Sequence, residues 1–579
     1  MVKPYAVSLL LMSGPALAQS AEDITVTAMR TPQRRSDVPV SMEIVPAELL
    51  DRTPGLTFID QLKKTSGVDV IQYPNGLAGV GLRGFRPDFE SSINPRTLTL
   101  VDGRPSGSTS FTTIAPESID RIEVVKGPSS ALYGASAEGG VVNIITRRSK
   151  GPIHGQIGGG YGSFDTLRGD GSIGGSITSS TDFDASLGYV DQRDDFKTAY
   201  GLTRPNSDFS RLSGRARVGA DLASNVRFDA SVDFARLNNS QPGPVSFSPQ
   251  TPADTRLRRV GGDARLVVTP AHHRFQLVGY ASREVYRYIT IVPTTASSYQ
   301  SSRTISRYRG VQAQDSWAIA PIFSLTYGFD WQRVELRPQS FSATSQVAPF
   351  SPNENRDSKA GFAEGTLLLL DGRIIVTAGA RYDHIVSETL PTPLKTNFTG
   401  SRTSFNVWSP RGGAVFKLTP ALRLHASAGS AFAPPQGSQT TGVTTEVAGR
   451  QTRVTTGNPD LAPERNTSFD MGMGYAAGPL YADLTYFHAN TRNRIVSVIT
   501  SETTALRQST YRNADQSRVR GLEAAIGLDV GSLWGANPDQ LTLRSDEVNA
   551  ARLRASQRGP CWIQTAIAWS ARPSDASEI

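Results

Sequence analysis

Gly134-Ala135-Ser136-Ala137-Glu138 is the nearest approach in this sequence to the turn that presents a catalytic serine. That turn needs a second glycine two residues after the serine, and a histidine and a carboxylate to activate the hydroxyl. Glu138 stands where the glycine is required and no triad context accompanies it, so hydrolase chemistry is rejected. The six histidines form no metal-ligand pattern. His272 and His273 are adjacent, would point to opposite faces of a strand, and are expected in a loop. Cys561 is the single cysteine, which excludes an intrachain disulfide framework and a multi-thiolate metal centre. A formal charge of +8 could point to nucleic acid. The basic residues, however, alternate with Asp and Glu and form no compact run, so no nucleic-acid partner is expected. Metal, thiol and hydrolase chemistry thus find no site in the sequence.

The elements that must position any functional residues are legible in the hydropathy pattern. The chain has 579 residues, 38% hydrophobic and 19% charged, with 53 glycines, which is not a disordered composition. Lys3, the apolar run Val7 to Met12 and the small residues Ala16-Leu17-Ala18 read as an export signal, cleaved after Ala18. No later stretch is long and apolar enough for a membrane helix, so the exported chain is either soluble or a β-barrel. From about residue 154 the pattern has period two. Val226, Phe228, Ala230, Val232 and Phe234 alternate with Arg227, Asp229, Ser231 and Asp233; Leu480, Ala482, Leu484 and Tyr486 alternate with Tyr481, Asp483 and Thr485. About sixteen such segments of roughly ten residues, with aromatic ends and no intervening helix, favour a membrane barrel over a soluble sandwich. A tight turn is expected between Val218 and Arg227, and long connections between Arg236 and Arg256 and between Val386 and Phe405. Residues 23 to 150 differ: apolar runs, glycine turns and an expected helix near Thr57 to Thr65 indicate a compact mixed domain ahead of the barrel.

The strongest local signal runs from Ser118 to Arg147. Ile122, Val124 and Val125 read as a strand broken by Gly127-Pro128; Ala131 to Tyr133 is a short helical turn ended by Gly134; Gly139 and Gly140 permit a reversal into the strand Val141 to Ile145. This segment resembles the final plug segment of the TonB-dependent outer-membrane receptors. Gly81-Leu82-Arg83-Gly84-Phe85, Leu98 to Pro105 with its Asp102-Gly103 turn, Gly457 to Glu464, and Tyr511 to Ala514 followed by Arg518 to Glu523 are similar to further elements of that family. The resemblance covers roughly residues 20 to 530.

The resemblance implies an antiparallel membrane β-barrel, 22-stranded in the family and with about 16 strands evident here, with an N-terminal α+β plug domain inside the lumen. It implies a signal peptide over 1–18, a periplasmic segment over 19–35, a plug over 36–150 and a barrel over 151–530. Asp23, Ile24, Thr25, Val26 and Thr27 look like the energy-coupling box, expected as an extended, unpaired strand that adds to a partner's sheet edge. Arg83 and Lys126 of the plug are expected to pair with Asp470 and Glu523 of the barrel's inner wall as a latch. Arg offers a fork and Lys a point charge, and Asp470 is shorter than the Glu usually found there. Arg83, Phe85, Arg86 and Phe89 are the expected ligand contacts, since arginine and aromatic groups suit anionic chelates rich in acceptor oxygens. Tyr73 to Leu77 and Arg86 to Asn94 are expected at the plug apex.

The function implied is uptake of a ferric siderophore across the outer membrane of a Gram-negative bacterium, with no bond chemistry and no intrinsic cofactor, iron arriving as the chelate. The partners implied are TonB with its inner-membrane energising complex, the siderophore, outer-membrane lipid and lipopolysaccharide, and the barrel assembly machinery; a monomer is expected. Cobalamin, another metallophore or an oligosaccharide are alternative cargoes; a passive porin and a soluble secreted binding protein are alternatives of other classes. The sequence departs from the family after about Val530, where alternation stops and the chain ends Ser577-Glu578-Ile579 without a terminal aromatic strand. An incomplete barrel over 151–530 and an out-of-frame or truncated tail over 531–579 are therefore expected.

Overall fold

The computed structural model describes residues 25–27, 29–51, 57–72, 77–85, 95–195, 201, 207–240, 253–292, 295, 297–349, 351–395, 400–448, 450–529, 542–546 and 552–555. The N-terminal domain is built on five strands lying in the order Met42–Pro46, Ile119–Lys126, Gly140–Thr146, Thr97–Val101, Arg104–Pro105. Gly140–Thr146 runs antiparallel to Ile119–Lys126 and parallel to Thr97–Val101, so it is the central strand. Its valines and isoleucines form a near-continuous apolar run because both faces of a central strand are covered; Val141, Val142 and Ile144 are fully buried. Asp102 and Gly103 both take positive φ, the conformation of a mirror-type hairpin turn, and join Thr97–Val101 to Arg104–Pro105. The helix expected near Thr57 to Thr65 is a single turn, Ile59–Leu62; Ala47–Asp51 precedes it and Ser130–Tyr133 follows, ended by Gly134 at φ 79°. One apolar cluster joins Phe58, Ile59 and Leu62 to Val80, Ile122, Val124 and Val142. A second lies across the sheet around Leu100, Val125, Leu132 and Val141.

From His154 onward the described chain forms one sheet of 21 strands, sixteen of them nine residues or longer, ordered as in the sequence. Burial is inverted relative to a soluble protein. Val218, Val232, Val260, Leu277, Phe329 and Val376 are exposed, while Arg217, Asp229, Arg265, Glu284, Arg381 and Asp383 are buried. An apolar outer face and a polar inner face are what lipid outside and a filled lumen demand. No described helix is long and apolar enough to cross a membrane. The expected tight turn is Ser224-Asn225, between Phe209–Ala223 and Val226–Ser240. The connections expected from Arg236 to Arg256 and from Val386 to Phe405 are shorter than the sequence suggests. Strands run on to Ser240 and Leu390 and resume at Ala253 and Arg402, because the backbone ladder continues after the apolar alternation stops. His272 lies in a turn, as expected; His273 opens the next strand instead, its ring stacked between Phe275 and Trp317.

The plug occupies the space inside this sheet. Its side chains meet inward-facing groups at many points around the wall: Arg30 meets Asp330, Arg83 meets Asp470, Arg104 meets Asp263, and Ser108 meets Glu284. Among the described residues no ladder joins the first long strand, His154–Gly162, to the last, and Ile157 on that first strand is 92% exposed. The last long strand, Leu506–Asp529, is flanked by Thr542–Asp546 and Arg552–Ala555, so part of the tail continues the sheet.

Candidate functional site

The segment expected to couple to a partner begins at Asp23 and Ile24, which lie outside the described residues. Thr25–Val26 is a strand, but a paired one: it runs antiparallel to Gln33–Arg34. The expectation of a free strand fails for a physical reason. Val26 is apolar and enters the second plug cluster, where it is fully buried, and the reversal near Arg30 brings Gln33 alongside. Thr27 is held further. Its backbone N–H and hydroxyl both donate to the buried Glu123 carboxylate (3.0 and 3.3 Å), which also accepts from Arg121 at 2.8 Å and Asn143 at 3.2 Å.

Three residues on, Arg30 takes φ 70°, an uncommon conformation for a side chain larger than glycine. Its guanidinium forks onto both oxygens of Asp330 on the barrel wall (3.1 and 2.5 Å). It also donates to the Leu132 carbonyl of the plug's helical turn Ser130–Tyr133 at 2.9 Å. Tyr133 covers one side at 4.8 Å and Phe362 of the barrel lies 4.6 Å away. Gln314 of the wall donates to the Arg30 carbonyl at 2.9 Å. Asp330 is shared with Arg381, which also bonds Asp383 at 3.0 Å. A side chain at position 134 would begin 3.0 Å from both Arg381 and Asp383, which accounts for Gly134.

The four charges named as a latch come together. Leu82-Arg83-Gly84-Phe85 closes a tight turn with Arg83 at φ 52° and Gly84 at φ 81°, and the Arg83 N–H donates to the Gly67 carbonyl at 2.9 Å. This turn aims the side chain at the wall. Arg83 Nε and Nη2 fork onto Glu523 (3.0 and 2.9 Å) and Nη1 donates to Asp470 at 2.8 Å. The shorter Asp470 therefore still reaches. The guanidinium lies 4.4 Å from the Phe487 ring, and the three charged side chains are only 2–3% exposed. Burial disfavours the charged guanidinium, but Asp470 and Glu523 outweigh it and hold Arg83 above its ordinary range. Lys126 is peripheral: it sits 4.0 Å from Glu523 and 3.5 Å from Glu43, a plug residue the sequence reading missed. Gly127 (φ 94°) is required here, since a Cβ would come within 2.8 Å of Asp470 and 3.2 Å of Arg83.

A third contact joins Glu138 to Arg96 at 3.2 Å, and Arg96 also bonds Glu464 where a barrel strand begins. Burial is the largest influence on Glu138 and, with Glu464 opposing its ionisation, moves it up to about 7 against the pull of Arg96 and Arg494. Asp102 shows the opposite balance. Burial disfavours its charge, but Arg148, Arg215 and Arg265 hold the carboxyl well below the usual range, and Thr146 donates to it twice, at 2.9 and 2.8 Å.

Two of the expected ligand contacts, Arg83 and Phe85, are buried. Arg83 spends its donors on two barrel carboxylates, and Phe85 is buried against the plug. Arg86 and Phe89, with the apex segments 73–76 and 86–94, lie outside the described residues. Leu77, at the edge of one apex segment, is fully buried in a cluster with Val190, Phe209, Leu237 and Leu257 of the wall. Among the described residues no group of three or more His, Cys, Asp or Glu is placed to hold a metal ion. The Arg30, Glu138 and Asp102 contacts escaped the sequence reading. Their one signal was the set of charged residues on the inward register of alternating strands, such as Asp330, Arg381 and Asp383.

Comparison with known proteins places these contacts in context. Residues 146–558 match the family model described as TonB dependent receptor-like, beta-barrel, and residues 34–141 match the TonB-dependent Receptor Plug Domain. The barrel match thus extends beyond the boundary expected near residue 530. An iron-regulated outer membrane virulence protein of Vibrio cholerae serotype O1 is 26% identical over 560 residues, spanning 90% of this chain and 78% of that one. The siderophore receptor PirA from Pseudomonas aeruginosa superposes with a TM-score of 0.65 at 20% identity, covering 89% of this chain and 85% of its own. The hemophore receptor HasR of Serratia marcescens gives 0.71 at 19%, covering 90% and 82%.

Proposed function

This chain belongs to the TonB-dependent receptors of the outer membrane, and on that premise we propose that it takes up a ferric siderophore by energy-coupled transport. The family consists of receptors and transporters, so the protein is not an enzyme. The observation that carries the reading is the joining of two features in one domain. A short strand near the N-terminus, Thr25–Val26, is stitched into a plug, and the plug is held to the barrel wall by buried ion pairs. A pull on that strand is a pull on the plug, and the charged contacts are the ones that must open for cargo to pass. The iron-regulated relative and the siderophore receptor among the structural neighbours support an iron chelate as cargo.

In this reading residues 23–27 pair with TonB by strand addition, after the pairing with Gln33–Arg34 and the grip of Glu123 are given up. Arg83, Lys126, Asp470 and Glu523 latch the plug. Arg86 and Phe89 remain the proposed cargo contacts. The barrel is seated as a monomer by the assembly machinery, in a bilayer whose outer leaflet is lipopolysaccharide. Uptake of iron-55 presented on a panel of single siderophores, in cells with and without TonB, tests the proposal. Accumulation of one chelate that vanishes without TonB is expected. Uptake that persists without TonB, or is confined to haem, cobalamin or an oligosaccharide, overturns it.

A further inference from the structure

The lipid face of the barrel holds a carboxylate where period two calls for an apolar residue. Asp315 stands on the outward register of Ser298–Ala320, in step with the exposed Val311, Trp317 and Ile319. Its partners across the sheet are Phe275 and Tyr327, and residues directly opposite one another share a face. An ionisable group set against lipid is costly and marks a site whose partner has to be found. Here the partnering is half complete. Oδ2 accepts from the Tyr327 hydroxyl at 3.1 Å and lies 2.8 Å from the His273 ring Nδ1. That ring is held by stacking on Phe275 and Trp317, each at 5.3 Å. Oδ1 has no hydrogen-bond partner, although Asp315 is only 3% exposed. Among the described residues no arginine or lysine pairs with this carboxylate; His273 is its ionisable neighbour.

The adjoining residues make Asp315 the end of a groove. Leu266, Leu277, Ala313 and Phe329 lie opposite one another on adjacent strands, and Val268, Phe275, Asp315 and Tyr327 do the same one step nearer the turns. Ala313 is small where its neighbours are long, so the face dips between Leu277 and Phe329. The groove measures about 520 Å³ and is lined by these side chains, with Asp315 among them. At this end the strands are joined by the short turns 269–272 and 321–322. Short turns belong to the periplasmic side, and His273, Phe275, Trp317 and Tyr327 stand where an aromatic girdle meets the headgroups. We propose that the groove is a phospholipid site in the periplasmic leaflet, selective for a primary-ammonium head. One acyl chain lies along Ala313, and the ammonium donates to Asp315 Oδ1. Charge complementarity selects this occupant. An ammonium brings both positive charge and N–H donors, the two things Oδ1 lacks. A choline head brings the charge without a donor. A glycerol head brings donors but leaves its phosphate charge facing the carboxylate. Tyr327 and His273 are positioning residues that occupy Oδ2 and leave Oδ1 to the lipid.

The test is native mass spectrometry of the full-length receptor released from nanodiscs. The discs hold phosphatidylethanolamine, phosphatidylcholine and phosphatidylglycerol in equal parts with the same acyl chains, and heat-modifiable gel migration confirms assembly of each variant. Phosphatidylethanolamine is expected to survive stripping in preference to the other two. Asp315→Asn keeps the shape, removes the charge and lowers that retention by about tenfold, the size expected for one charge-assisted hydrogen bond. Tyr327→Phe, which frees Oδ2 from its hydroxyl donor, gives a smaller loss. Ala313→Phe fills the groove and removes the preferential retention altogether; it serves if Asp315→Asn fails to assemble. Val232→Phe, an enlargement at an exposed position elsewhere on the lipid face, leaves retention unchanged. Equal retention of the three heads, the behaviour of annular lipid only, overturns the site. So does retention that Asp315→Asn or Ala313→Phe leaves unaltered. The measurement uses neither TonB nor cargo. Absent TonB-dependent uptake therefore removes the transport reading alone, and unselective retention removes the lipid site alone.

Discussion

Arg83 and Arg30 are both plug arginines gripped by carboxylates of the barrel wall, but they are compensated in opposite ways. Arg83 is one cation between two carboxylates, with Lys126 no nearer than 4.0 Å to either. Arg30 and Arg381 together face Asp330 and Asp383, and of the two arginines only Arg30 belongs to the plug. Removing the plug's arginine therefore takes the direct cationic partner from Asp470 and Glu523, with Lys126 only 4.0 Å from Glu523, whereas Asp330 and Asp383 both keep direct bonds to Arg381. The difference teaches that similar ion pairs at one interface can serve as a fixed joint or as a releasable one, according to who is left behind.

The largest effect should fall on the fixed joint. Arg83→Ala is expected to destabilise the folded receptor by about 3–5 kcal/mol, the cost of an uncompensated buried charge. Urea titration of the receptor in detergent micelles, followed by heat-modifiable migration, measures it. Arg30→Ala is expected to cost about 1–3 kcal/mol in the same assay, since it loses hydrogen bonds and stacking without stranding Asp330. If the two variants cost the same, the distinction between the joints is lost.

Gly127→Ala probes the first joint from its glycine side. A methyl group there would press on the Asp470 carboxylate and the Arg83 guanidinium from a backbone at φ 94°, so a loss of about 1–3 kcal/mol is expected. Combining it with Arg83→Ala should cost less than the sum of the two, because the crowded partner is gone. Additive costs would mean that Gly127 serves the turn alone and has no part in the joint.

These contacts also mark how far the sequence could be read. The barrel was legible because lipid on one face and a polar lumen on the other impose period two on every strand, and the plug because its glycines and valines keep a recognisable order. The reason for those glycines was not legible: Gly127 makes room for Arg83 and Asp470, and Gly134 for Arg381 and Asp383, and all of these but Arg83 lie on barrel strands hundreds of residues away. Arg83 was found through its place in the motif, but that its donors all go to two barrel carboxylates was not legible, since sequence alone does not show which way a turn points an arginine. Arg30 was missed because a lone arginine after a short strand carries no pattern until Asp330 and Phe362 are folded against it. Thr25–Val26 was expected to be free because exposed and docked strands of two residues have the same sequence.

The third contact sharpens the comparison through pH. Glu138 shares Arg96 with Glu464, so here two carboxylates compete for one arginine, as at Arg83, but one of them can be neutralised. The unfolded carboxyl ionises near 4.5 and the folded one near 7. Between those values the native state holds a proton that the unfolded state has released, so stability should fall as pH rises through that window and level off above it. Glu138→Gln keeps the shape and removes the titration. Its stability should be flat across the window, where the unaltered receptor loses at most about 1 kcal/mol per pH unit. Urea midpoints of the two proteins at pH 5, 6 and 7 decide this. Parallel slopes would show that Glu138 stays ionised beside Arg96 throughout, making this contact a fixed joint like the one at Arg83 and leaving Arg30 as the sole releasable attachment of the three.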